Sequence, residues 1–74
     1  MKIIFTKHAL ERMKERDIGF KEVKSTLKNP DKIANNRYIK KIDSYVLIVV
    51  VNEESKGVIK IVTVFKSSKI SKYL

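Results

Sequence analysis

The run Tyr45-Val46-Leu47-Ile48-Val49-Val50-Val51 is almost wholly apolar and rich in β-branched residues. It reads as a central strand buried on both faces, because a half-exposed strand would alternate with polar residues. Such a strand needs neighbours and two covering layers, and the rest of this short chain must supply them. Before it, Lys32-Ile33-Ala34 is a weak strand and Asn35-Asn36 a turn. Residues 37–42 form a further strand with basic side chains on both faces, and Asp43-Ser44 a second turn. After it, Asn52-Glu53-Glu54-Ser55-Lys56-Gly57 reads as a hairpin loop and residues 58–65 as the last strand. Strict alternation there puts Ile59, Ile61, Thr63 and Phe65 on one face and Val58, Lys60, Val62 and Val64 on the other.

The N-terminal part has the other period. Thr6 is a good N-cap, and the residues from Lys7 to Arg16 nearly all tolerate helix. Ala9, Leu10 and Met13 share its apolar side. Asp17-Ile18-Gly19 stops this helix, with Gly19 suited to a left-handed C′ position. A second helix over residues 20–28 buries Phe20, Val23 and Leu27, and Asn29-Pro30 ends it because the residue before proline avoids the helical region. Lys2-Ile3-Ile4-Phe5 is an edge strand or a packed lead-in. The expected fold is α+β, with two N-terminal helices on one face of a three- to four-stranded antiparallel sheet. Two short helices cover one face only, so the other face or an edge is expected to meet a second copy, as in a homodimer, or another partner.

At 74 residues this is one small domain, 1–74, with a thin core and no cysteine to staple it. No apolar run reaches the length of a membrane span, and the first residues are too short for a signal-peptide core, so a cytoplasmic chain without a membrane partner is expected. Lysine and arginine number 17 against 8 acids, a net charge of +9 that favours a polyanionic partner, either nucleic acid or an acidic protein. Lys66-Ser67-Ser68-Lys69-Ile70-Ser71-Lys72-Tyr73-Leu74 reads as a flexible basic tail at about 66–74, an electrostatic arm for such a partner.

His8, Arg12 and Arg16 follow i, i+4, i+8 spacing on the first helix, and Lys7 adds positive charge in its first turn. Like charges so placed cost on the order of 0.2–0.5 kcal/mol per pair, and the macrodipole disfavours cations at that end. A phosphate would relieve both effects. The competing reading is a solvated face on which Lys7–Glu11, Glu11–Lys14 and Arg12–Glu15 pairs soften the repulsion.

The order Thr6-Lys7-His8-Ala9-Leu10-Glu11-Arg12-Met13, then Glu15-Arg16-Asp17-Ile18-Gly19, a helix ending at Asn29-Pro30 and a late Ile61-Val62-Thr63-Val64-Phe65 strand resembles a known group. These are small uncharacterised DUF-type domains with an HAxxRM helix. They are grouped with RelE/ParE-like and BrnT-like toxins in the wider barnase, EndoU, colicin and RelE nuclease fold. The resemblance covers about residues 5–65. It implies a RelE-like domain and a metal-independent endoribonuclease of toxin type, needing no cofactor, acting on RNA and restrained by an acidic antitoxin-like protein. By position, His8 and Arg12 match the helix motif, Arg16 the arginine before the Ile-Gly turn, and Thr63 the late-strand threonine. Relatives tend to carry Ser or Thr where this chain has Phe20, so the cap of the second helix falls to Asp17 or Gly19.

Metal-free RNA cleavage needs a base for the 2′-hydroxyl, an acid for the 5′-oxygen and cations on the phosphorane. The expected catalytic set is His8 as base, Arg12 and Arg16 as a phosphate clamp, and Thr63 bound to a phosphate or orienting His8. With one histidine, the acid falls to Lys66, Tyr73 or Arg37. Lys7, Arg37, Lys66, Lys69, Lys72 and Tyr73 are the expected nucleic-acid contacts, the tyrosine by stacking. A noncatalytic nucleic-acid-binding or interaction module of the same fold is the alternative.

Overall fold

The computed structural model describes residues 2–74. In chain order it contains β1 (Lys2–Phe5), α1 (Lys7–Glu15), α2 (Phe20–Lys28), β2 (Lys32–Ala34), β3 (Arg37–Ile42), β4 (Tyr45–Ser55), β5 (Val58–Ser67) and α3 (Ile70–Tyr73). The five strands form one mixed sheet in the order β1-β5-β4-β3-β2. The α+β class stands, but the sheet is wider than the three or four antiparallel strands expected. Lys2-Ile3-Ile4-Phe5 is a true edge strand, and it runs parallel to β5 with Phe5 opposite Ile61.

The turns are short because the residues in them tolerate positive φ. Asn35 (φ 56°), Asp43 (φ 53°) and Gly57 (φ 79°) each occupy a two-residue connection between paired strands. The last hairpin is tighter than expected: β4 continues to Ser55, so only Lys56 and Gly57 turn the chain.

Thr6 caps α1 as expected, its hydroxyl accepting from the Ala9 amide at 3.1 Å. At the other end, Asp17 and not Gly19 takes the left-handed position, at φ 54°. The Ile18 amide then donates to Met13 O at 2.8 Å and the Asp17 amide to Lys14 O at 3.4 Å, closing the helix end. This turn carries Ile18 back into the core. Gly19 is instead the N-cap of α2, where its amide donates to Glu22 Oε1 at 3.3 Å.

The sheet has two unlike faces. On the first face Ala9, Met13, Ile18, Val23 and Leu27 from the helical layer pack on Leu47, Val49, Val51, Ile59, Ile61 and Val64. On the second face a smaller cluster, Ile39, Val46 and Ile48, lies under Ile70 and Tyr73 of α3, with Phe65 and Val50 at its border. The central strand is thus covered on both sides, but by helices on one side and by a four-residue helix on the other. Two residues expected inside lie outside: Leu10 is 42% and Phe20 52% exposed, Phe20 meeting Phe5 edge-on at 5.0 Å. The segment expected to be a flexible tail supplies the end of β5 and α3.

Strict alternation fails in β5. Val50 pairs with Thr63 but Val51 with Ile61, so Val62 is an extra residue in a β-bulge. Beyond it every side chain changes sides. Val64 joins Ile61 on the first face, while Thr63 and Phe65 turn to the second, opposite Val50 and Ile48.

Candidate nucleic-acid interface

The stripe on α1 is present, but its members are committed differently. His8 is exposed and, among the described residues, makes no side-chain hydrogen bond or ion pair. Arg12 is half-buried and paired with Glu15 of the same helix. Arg16 Nη1 donates to Val64 O of β5 at 2.9 Å. Two of the three basic groups therefore already have partners in the protein. Lys7 is exposed at the start of this helix.

Thr63 stands on the other side of the sheet. Cross-strand partners share a face, and its partner Val50 borders the second-face cluster. The four residues expected to act together, His8, Arg12, Arg16 and Thr63, are not brought together, because the bulge at Val62 turns Thr63 away from α1.

The second face gathers a different set. By register it carries Lys2 and Ile4 of β1, Lys60, Thr63 and Phe65 of β5, Val50 of β4, Arg37 and Lys41 of β3, and Lys32 of β2. Lys69, the N-cap of α3, and Lys72 within that helix stand beside it, and Tyr73 meets Phe65 at 6.3 Å between ring centres. Among the described residues one acid, Glu54, joins this face, pairing with Lys60 at 3.3 Å. The other acids lie in the helical layer, in turns or on the first face. The result is a sheet face with an apolar floor, a cationic margin and an aromatic pair at one end. Of the expected nucleic-acid contacts, Arg37, Lys69, Lys72 and Tyr73 belong to it. Lys66 does not, since it pairs with Leu47 on the first face and holds its Nζ 5.0 Å from the centre of the Tyr45 ring.

Lys2, Lys32, Lys41 and Lys60 were missed by sequence reasoning. Alternation in β1, β2, β3 and β5 signals them only once the strands are in register, since each is ordinary surface lysine in isolation.

A separate hollow of about 480 Å³ lies between α2 and the end of β3, lined by Lys21, Glu22, Ser25, Lys40, Lys41, Ile42 and Asp43. Beside it the Tyr45 hydroxyl donates to Glu22 Oε2 at 2.8 Å. That hydrogen bond to a carboxylate, with burial and the nearby negative charges of Glu22 and Asp43, pushes the Tyr45 phenol up to about 12. Among the described residues no three His, Asp or Glu side chains converge as a metal-ligand set. Among them also, no helix is long and apolar enough to cross a membrane.

The family described as Domain of unknown function (DUF4258) matches residues 5–66, from the end of β1 almost to the end of β5. The chain belongs to the DUF4258 family. The matched span contains α1, α2, the central strand and the bulge, and it stops before α3. No curated protein and no solved structure matches the chain.

Proposed function

We propose that this DUF4258 domain is a noncatalytic RNA-binding module that lays a single strand across the second face of its sheet. The observation that carries this reading is the segregation of charge: Lys2, Lys32, Arg37, Lys41 and Lys60 rim that face with Glu54 as its one acid among the described residues. Lysine and arginine there serve phosphates at register spacing, and Tyr73 offers a ring to a base at the α3 end. An extended strand suits the surface better than a duplex does, since α3 is a single short turn of helix packed down on the sheet and not a recognition helix aimed at a groove.

The test is fluorescence anisotropy with a labelled single-stranded RNA at two salt concentrations. Binding should weaken steeply with salt, and the Arg37→Glu/Lys60→Glu double variant should lose at least about tenfold in affinity while remaining folded. Salt-independent binding, or wild-type affinity in the double variant, would overturn the reading.

A RelE-like endoribonuclease of toxin type, held by an acidic antitoxin-like protein, is the second reading. The exposed His8 imidazole, one turn from Arg12, favours it. Cleavage of RNA in EDTA that disappears in His8→Ala while binding persists would promote this reading over the first.

A further inference from the structure

Three features converge at one point of the sheet: the bulge at Val62, the end of β1 and two polar side chains of the α1 segment. β1 pairs with β5 only as far as Phe5 and Ile61. There the chain leaves the sheet, and the β5 edge beyond would be left with unpaired backbone groups. Thr6 takes the first of them. Its amide donates to Ile61 O at 3.3 Å, and its hydroxyl lies 2.8 Å from Ile61 O and 3.2 Å from Val62 O, sharing one proton between them. Ten residues on, at the opposite end of α1, Arg16 donates to Val64 O at 2.9 Å. The two side chains thus hold the carbonyls on both sides of the bulge.

A bulge leaves its extra residue out of the ladder and disrupts the pairing locally. Here the carbonyls that flank it are held from α1, and the consequence is conformational. With the extra residue accommodated at Val62, Thr63 and Phe65 face the second side of the sheet. With strict alternation they would face α1, and Val64 would leave the first-face core.

We infer that Arg16, acting with Thr6, is a positioning residue for the RNA-binding face and not itself a phosphate ligand. It pins the register of β5 that presents Thr63 and Phe65 to the second face. The inference rests on the RNA-binding reading for its functional consequence, but the register it concerns is measurable without RNA.

The decisive comparison pairs Arg16→Met with deletion of Val62. Removing Val62 leaves Ile61 and Thr63 adjacent in sequence, so ordinary alternation keeps Thr63 and Phe65 on the second face with no bulge to hold. In the natural length, Arg16→Met should weaken RNA binding about tenfold, the effect of one charge-assisted hydrogen bond on the placement of the site. It should also weaken the cross-strand nuclear Overhauser contacts between Thr63 and Val50. In the Val62-deleted chain the same substitution should change binding less than twofold. A loss that persists after deletion would make Arg16 a direct phosphate contact and overturn the inference. So would unchanged Thr63–Val50 contacts in Arg16→Met. If Arg16→Met fails to fold at natural length, Thr6→Val provides the same comparison from the other side of the bulge. Wild-type protein that binds no RNA would remove the functional reading, while the register measurement would still decide the role of Arg16.

Discussion

The two faces of the β4–β5 pair are built from the same two strands, yet they are organised for different ends. On the first face, side chains from α1, α2 and the turn between them interlock with β4 and β5, and Ala9, Val23, Leu47, Val49, Ile61 and Val64 are fully buried. On the second, α3 seals three core residues and leaves the remainder to lysine, arginine and Thr63. A chain of 74 residues has little apolar surface to spend, and it has placed most of it on one side. The difference teaches that a small domain can keep an open sheet face if the other face supplies the stability, and that such a face can be tuned for charge at little cost to folding.

The largest effect should therefore come from the first face. Leu47→Ala removes a fully buried side chain there and should cost about 2–5 kcal/mol in urea unfolding. Tyr73→Ala, which opens the second-face cluster, should cost less than Leu47→Ala in the same experiment; an equal cost would dissolve the contrast between the faces. Next in size, reversing the second-face charges should change RNA affinity and leave the unfolding midpoint nearly untouched, the opposite of the Leu47 pattern.

A smaller effect is expected at high pH. The Tyr45 phenol titrates near 10 in the unfolded chain and is raised to about 12 in the folded one, first by its hydrogen bond to Glu22. The folded state thus holds its proton where the unfolded state has lost it. The stability this contributes is fully present below pH about 10 and is lost as pH rises through about 12. Tyr45→Phe should flatten that alkaline decline in stability measured by thermal unfolding; an unchanged pH profile would show that the phenol plays no part in it. The smallest effect belongs to the Arg12–Glu15 pair on the helix surface. Glu15→Gln should alter stability by no more than about 1 kcal/mol, and it should leave RNA binding unchanged if α1 lies off the interface.

Much of this fold was legible in local sequence. The Thr6 cap, the two helices, the apolar central strand and the turns at Asn35-Asn36 and Asp43-Ser44 follow from propensities and side-chain chemistry within a few residues. What escaped depends on partners far away in the chain. The strand character of residues 2–5 is decided by β5, more than fifty residues on, and parallel pairing leaves no hairpin signal. The bulge at Val62 is set by Thr6 and Arg16, and it inverts the faces of every later residue in β5. For that reason the candidate site was the least legible part. His8, Arg12 and Arg16 share a helix stripe that spacing reveals, whereas Lys2, Lys32, Arg37 and Lys60 come from four strands and meet only through register. Gly19 shows the same limit on a smaller scale. Glycine is the usual left-handed helix stop, but Asp17 tolerates that conformation and using it turns Ile18 into the core.

The most direct test of the two-faced arrangement is an NMR titration of the uniformly labelled protein with a short single-stranded RNA, following amide shifts residue by residue. We expect the perturbations to concentrate at Lys2, Ile4, Arg37, Lys60 and Thr63 and in α3, with His8 and Arg12 unmoved. Shifts concentrated at His8 and Arg12, with the second face silent, would contradict the arrangement and return the site to α1.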